Sequence, residues 1–240
     1  MKMAMNELAA LCRAALEGSG WRQGDYEDAA GAAVWLQAVG FGGVEALNGL
    51  LGAAAGERYA VQGGLDGKPE FERAPGLVGC LLAFELAWAQ ASRDGVGVVR
   101  VERALAPRLA LHGIRMMSAR GRRIDLTWHE AGHQHFATAT GHDAFPSYLG
   151  CVARGKLDGT NIVVCCRTND ALPPAFDIAK DLRDEVSPTE FEARYYETLW
   201  RGVELDETQL ARLGEWKSRV LVEATAASRA HGAGGQDDGF

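Results

Sequence analysis

Between Arg123 and Trp128 the chain alternates strictly: Ile124, Leu126 and Trp128 are apolar, and Arg123, Asp125 and Thr127 are polar. A period of two belongs to a strand with one face turned to a core, and a helix cannot satisfy it. This decides how the next residues are read. His129-Glu130-Ala131-Gly132-His133 fits H-E-x-x-H, a pattern that binds zinc when both histidines lie on one helical face. Entered from a strand, with Gly132 where a turn is needed and β-favouring residues following, the string is expected to be a hairpin. Its strands are expected over 123–129 and 134–140, with the turn near Ala131-Gly132. His129 and His133 then fall on opposite strands or in the turn, and Glu130 is expected to be an exposed edge or turn carboxylate. The metal alternative places zinc on His129 and His133, or across strands with His135 or His142.

The surrounding segments predict the α+β class: N-terminal helices, a central, mostly antiparallel sheet and C-terminal helices. Met5, Leu8, Cys12 and Leu16 repeat at helical spacing, and Gly18-Ser19-Gly20 ends that run. A second helix is expected from an Asp25 cap to Gly40, with small residues on one face, and a short third helix through Val44, Leu47 and Leu51. Residues 56–75 read as a polar, Gly-rich loop. Leu77 to Ala91 is apolar on most sides and predicts a buried helix. Val96, Val98, Val99 and Val101, and Ile162 to Cys166, predict strands, so the sheet is expected between residues 96 and 170. Ser187-Pro188-Thr189-Glu190 is a complete helix start, with Val186 and Phe191 as its staple. Asp206 to Gln209 repeats the device, with Leu205 and Leu210, for a helix expected to run to about Ala230. One domain over 1–240 is expected, divided into 1–92 helical, 93–180 β-rich, 181–231 helical and a flexible 232–240 tail.

The 240 residues carry a net charge of −7 without a basic run or face, which argues against nucleic acid and anionic membranes as partners. No apolar stretch reaches membrane-spanning length, and the first 18 residues are amphipathic rather than signal-like. Five cysteines, an odd number without a C-x-x-C pair, argue against a disulfide framework and for a cytoplasmic setting. Adjacent Cys165 and Cys166 point to opposite faces of a strand, and no histidine spacing marks either as a nucleophile. The glycines at 40, 42 and 43 and at 95 and 97 lack the strand-to-helix setting of a dinucleotide fingerprint, so no cofactor is expected.

The C-terminal segment supplies the candidate ligand site. Ser228 and Arg229 close the last helix, Gly232 and Gly234 form a turn, and Asp237 and Asp238 follow. A guanidinium fork suits an anion, and glycine backbone lets a ligand approach closely. Gly20-Trp21-Arg22-Gln23-Gly24-Asp25-Tyr26-Glu27-Asp28-Ala29, then Trp35-Leu36 and Gly40-Phe41-Gly42-Gly43, resembles the opening of a bacterial family of unknown function. Gly202-Val203, Ser228-Arg229 and Gly232-Ala233-Gly234 with Asp237 are similar to that family's C-terminal S-R-x-x-G-A-G signature. The chain departs from it at Val34, where the pattern has a basic residue, and at Gly235-Gln236. The resemblance implies small-molecule catabolism and no assigned activity. The opening helices are also similar in pattern to malate/L-lactate dehydrogenases that lack a Rossmann fold, but Phe41-Gly42-Gly43-Val44 stands near the place of their Ser-His-Gly element.

The resulting expectation is a cytoplasmic enzyme or enzyme subunit acting on a small anionic metabolite. In it Arg229 holds the anion, Ser228 donates a hydrogen bond, and Asp237 or Asp238 serves as base. The alternatives are a non-catalytic assembly subunit of a neighbouring enzyme and a zinc hydrolase using His129, Glu130 and His133. Self-association is left open.

Overall fold

A computed structural model describes residues 1–21, 23–51, 59–63, 70–71, 76–102, 104–118, 120–152, 161–168 and 182–220. The chain begins with a short strand β1 (Lys2–Met3) and three helices, α1 (Met5–Gly18), α2 (Gln23–Ala38) and α3 (Gly43–Leu51). Strands β2 (Tyr59–Gly63) and β3 (Glu70–Phe71) precede α4 (Gly76–Asp94) and β4 (Val96–Val101). A 3-10 turn (Pro107–Leu109) leads into α5 (Ala110–Ser118). Strands β5 (Arg123–Glu130), β6 (His133–Ala139), β7 (Ser147–Val152), β8 (Ile162–Arg167) and β9 (Leu182–Val186) follow. The last described elements are α6 (Pro188–Arg201), β10 (Val203–Glu204) and α7 (Glu207–Lys217).

Among the described residues eight strands form one sheet in the order β3-β2-β4-β8-β5-β6-β7-β9, and every pairing described in it is antiparallel. The α+β class and the expected hairpin are therefore observed. Helices cover one face of the sheet, to which Ile124, Leu126 and Trp128 of β5 turn, with Val99, Val101, Ile162 and Val164 beside them. The other face carries a buried polar cluster centred on Asp125. Its carboxylate accepts from Arg167 at 2.9 Å, Thr138 at 2.9 Å and Arg123 at 3.2 Å.

Helix α2 is the hub of the helical layer. Ala29, Ala30, Ala32 and Ala33 are all buried, because small side chains let α1, α3, α4, α5 and α6 approach it. Close approach also explains Gly43, where a Cβ would lie 1.9 Å from the Ala33 carbonyl oxygen. At Gly97, a Cβ would lie 2.0 Å from the Ala87 carbonyl oxygen, so glycine lets α4 settle on β4. Phe191 of α6 stacks on Trp35 and Phe41, with ring centroids 5.8 and 5.3 Å away.

Several expectations are corrected. The polar stretch 56–75 contains β2 and β3, which pair with each other, and β2 pairs in turn with β4. Helix α4 is one-sided rather than buried throughout: Ala83, Phe84, Ala87 and Ala91 are buried, while Glu85 and Ala89 are exposed. Asp25 lies in the first turn of α2 rather than capping it. Ser187 caps α6 as expected, accepting from the Glu190 amide at 3.2 Å, but the Glu190 carboxylate pairs with Arg194 instead of closing the box. Asp206 caps α7. That helix ends at Lys217 with a turn over 218–220, and residues 221–230 of the longer expected helix lie outside the described residues. The segment 102–122, for which no element was expected, holds the 3-10 turn and α5. Among the described residues no helix is long and apolar enough to cross a membrane.

Candidate functional site

The β5–β6 hairpin closes through two left-handed residues, Ala131 at φ 51° and Gly132 at φ 78°. A two-residue turn leaves no freedom in register, so Glu130 pairs with His133 and Trp128 with His135. Cross-strand partners share a face. Trp128, Glu130, His133 and His135 therefore all turn to the helical layer, while His129 and Gln134 take the opposite side. This geometry separates His129 from His133 and removes the helix on which the zinc reading depends. Among the described residues no three His, Cys, Asp or Glu side chains converge as a metal-binding group.

Tyr148 of β7 and Asp184 of β9 continue the same face. Opposite them stand Gly40, Phe41 and Gly42 of the α2–α3 turn, Glu45 of α3, and Arg108 of the 3-10 turn. Together they enclose a cleft of about 480 Å³. Arg108 is aimed by its backbone. Ala106, at the start of the 3-10 turn, is left-handed at φ 46°, a conformation that costs an L residue about 1–2 kcal/mol.

The Arg108 Nε donates to both carboxylate oxygens of Glu130 at 2.9 Å, and Nη1 donates to Oε2 of Glu45 at 3.1 Å. The two acids differ in setting. The Glu130 side chain is 20% exposed and that of Glu45 is 66% exposed. Burial works to lower the pKa of Arg108, but the hydrogen bond and charge of Glu130, and then Glu45, outweigh it and hold the pKa above its ordinary value. Glu130 is thus a half-buried brace, not the exposed turn carboxylate that the sequence suggests.

Deeper in the cleft, His135 Nδ1 lies 2.8 Å from the Tyr148 hydroxyl. The imidazole stacks on Trp128 at 4.8 Å and 14°, and Phe41 meets Tyr148 edge-on at 4.7 Å. Burial lowers the pKa of His135, with His133 and Arg108 adding to the effect and Glu130 opposing it. The ring is accordingly neutral near pH 7. Burial, with the charges of Asp184 and Glu130, pushes the Tyr148 phenol up to about 12, so it keeps its proton. The neutral imidazole can accept a proton, while the phenol, with its pKa raised, serves near pH 7 as its hydrogen-bond partner. The cleft thus combines a cation at its rim with a neutral, hydrogen-bonded imidazole–phenol pair on its floor.

Of the residues singled out in the sequence, Glu130, His133 and His135 come together here, and His129 does not. Ser228, Arg229, Gly232, Gly234, Asp237 and Asp238 lie outside the described residues. Cys165 and Cys166 are both buried, and burial raises the Cys166 thiol to about 11, which suits a structural thiol. Sequence reasoning missed Arg108, Tyr148, Glu45 and Asp184, which are distant in the chain. The hairpin residues and Gly40-Phe41-Gly42 are the parts of the cleft that left a local signal.

The model of a protein family of unknown function, DUF3726, matches residues 3–74. No curated protein matches the chain. Solved structures do. Malate dehydrogenase from Entamoeba histolytica superposes with a TM-score of 0.67 at 7% identity, over 92% of this chain and 99% of that one. Sulfolactate dehydrogenase from Methanocaldococcus jannaschii gives 0.67 at 13% identity, over 92% and 97%. A dehydrogenase from Sinorhizobium meliloti gives 0.66 at 12% identity, over 90% and 99%. At such identities the likeness is one of fold. The α2–α3 turn, where the resemblance to malate/L-lactate dehydrogenases would place Ser-His-Gly, is here Phe41-Gly42-Gly43, and it forms one wall of the cleft.

Proposed function

We propose that the chain binds a small anionic acid in the cleft between the α2–α3 turn and the β5–β6 hairpin, and that His135, held by Tyr148, exchanges a proton with it. One observation carries this reading: Arg108 is held by Glu130 through Nε, while among the described residues Nη1 meets the exposed carboxylate of Glu45. That carboxylate can swing into solvent and yield its place to a ligand carboxylate, which Arg108 then holds through charge-assisted bonds. The fold supports the substrate class, since the similar structures include dehydrogenases named for malate and sulfolactate. Ser228 and Arg229, with Gly232 and Gly234, are proposed as a second anion contact, and Asp237 or Asp238 as an additional base.

The test is calorimetric titration of the full chain with malate and malonate. Arg108→Gln should weaken binding at least about tenfold, in line with the worth of a charge-assisted hydrogen bond. Glu45→Gln, which removes the competing carboxylate, should tighten it. Equal affinity of wild type and Arg108→Gln refutes the site. Arg229→Ala tests the tail separately, and unchanged binding removes it from the proposal.

A second reading, binding without turnover as a subunit of a neighbouring enzyme, is favoured by Phe41-Gly42-Gly43 standing where Ser-His-Gly would be. Turnover of a bound acid by the isolated chain would exclude it.

A further inference from the structure

The cleft around Arg108 is short of positive charge. Among the described residues that line it, the carboxylates of Glu45, Glu130 and Asp184 face one permanent cation, the Arg108 guanidinium. Glu130 is already engaged, since both of its oxygens accept from Nε at 2.9 Å. Glu45 reaches Nη1 at 3.1 Å. Asp184 stands at the other end of the cleft floor, beside Tyr148. A Cβ on Gly150 would lie 2.8 Å from the Tyr148 hydroxyl and 3.6 Å from the Asp184 Cβ, so both side chains rest over one bare Cα. The imbalance is felt there. Burial comes first in raising the Tyr148 phenol to about 12, the charges of Asp184 and Glu130 add to it, and Arg108 offsets them only in part.

These charges choose among small acids, given the reading on which this rests, that a ligand carboxylate replaces Glu45 on Arg108. The exchange keeps the guanidinium paired, but it leaves the Glu45 carboxylate next to a new negative charge. A hydroxy acid or a plain dicarboxylate has nothing to set against it. An acid with a protonated amino group on the carbon beside its carboxylate does. The ammonium follows the carboxylate to Arg108, and Glu45, whose side chain is 66% exposed, is free to turn back onto it. An ammonium has three N–H donors, enough to meet Asp184 as well. Trp128 points to an occupant from the donor side. It lines the cleft at 1% exposure, and its Nε1–H has no acceptor, which suits a site completed by a ligand oxygen. We infer that the acid held in this cleft is an α-amino acid, with its carboxylate on Arg108 and its ammonium on Glu45 and Asp184.

The exposure of the two acids sets the size of the preference. An exposed ion pair is worth up to a factor of about five in an equilibrium constant. Two such pairs amount to a preference of about five- to thirtyfold for an amino acid over the hydroxy acid of the same skeleton. Because the rim meets water, the preference should shrink as salt is added.

Calorimetric titration of the full chain with two matched pairs, L-aspartate against L-malate and L-alanine against L-lactate, tests the inference. Within each pair only an ammonium and a hydroxyl are exchanged. The amino acid is expected to bind at least about fivefold tighter. Glu45→Gln and Asp184→Asn should each reduce that ratio, and the double variant should bring it to about one. The release of Arg108 by Glu45→Gln acts on both acids alike and cancels in the ratio. Hydroxy acids that bind as tightly as their amino counterparts overturn the inference and leave the anion site standing. A preference that survives the double variant overturns the assignment of the ammonium to Glu45 and Asp184. No binding by any of the four acids removes the anion site, and the inference with it.

Discussion

His112 gives the sharpest prediction. It lies on α5 against α2, with its ring 5.7 Å from that of Trp35. Burial, seconded by the positive charge of Arg115, holds its pKa down to about 4 from an ordinary 6.5. At pH 7 the ring is neutral in both the folded and the unfolded chain and adds nothing to the pH slope. Below 6.5 the unfolded chain takes up a proton that the folded chain refuses until about pH 4. Stability therefore falls as pH falls through that window, by about 1.4 kcal/mol per pH unit and about 3 kcal/mol in all. Urea unfolding of wild type and His112→Gln, at steps between pH 7.5 and 4.8, isolates this group. The lowered pKa values of His129 and His135 act in both proteins and cancel in the difference. By pH 4.8 the wild type should have lost about 2 kcal/mol more than the variant, relative to pH 7.5. Parallel pH profiles for the two proteins would refute the reasoning.

Three further outcomes follow from packing and charge. Gly113→Ala places a Cβ 2.4 Å from the Phe84 ring, so it should cost about 1–3 kcal/mol in denaturant unfolding. Asp125→Ala removes the carboxylate that binds Arg167, Arg123 and Thr138 in the sheet, and a loss of about 3–5 kcal/mol is expected. Burial pushes the Cys12 thiol up to about 12 and Cys166 up to about 11. Both should resist a thiol reagent at pH 8 in the folded protein and react only on unfolding, which mass spectrometry of the labelled peptides reads directly.

The hairpin was legible because its signals are local. Alternation from Ile124 to Trp128 names the strand, and Ala131-Gly132 names the turn. The same two facts do more than exclude a helical zinc motif. A two-residue turn fixes Glu130 opposite His133, and parity then puts Trp128 and His135 on their side of the sheet. That cluster could have been read from the sequence, whereas what faces it could not. Arg108 is 22 residues from Glu130 and 63 from Glu45, and no periodicity links positions that meet only when layers pack. β2 and β3 were missed for a related reason: they are short, five and two residues, and sit in a Gly-rich, charged stretch, so pairing with neighbouring strands rather than local pattern marks them. The segment around Arg108 combines a proline, basic residues and a left-handed alanine, and its structure depends on the helices it touches.

The pairing of β1 with β10 joins Lys2 to Glu204 and Met3 to Val203, and α1 packs on α7 beyond that joint. Helix α1 thus finds part of its cover in an element some 200 residues further along the chain. Until about 200 residues have been synthesised, the surface of α1 that α7 will occupy stays open to water and to other nascent chains. The packing of α1 therefore completes only after the intervening chain has been made, and the yield in cells should depend on chaperone supply more than that of a fold closed by neighbouring segments.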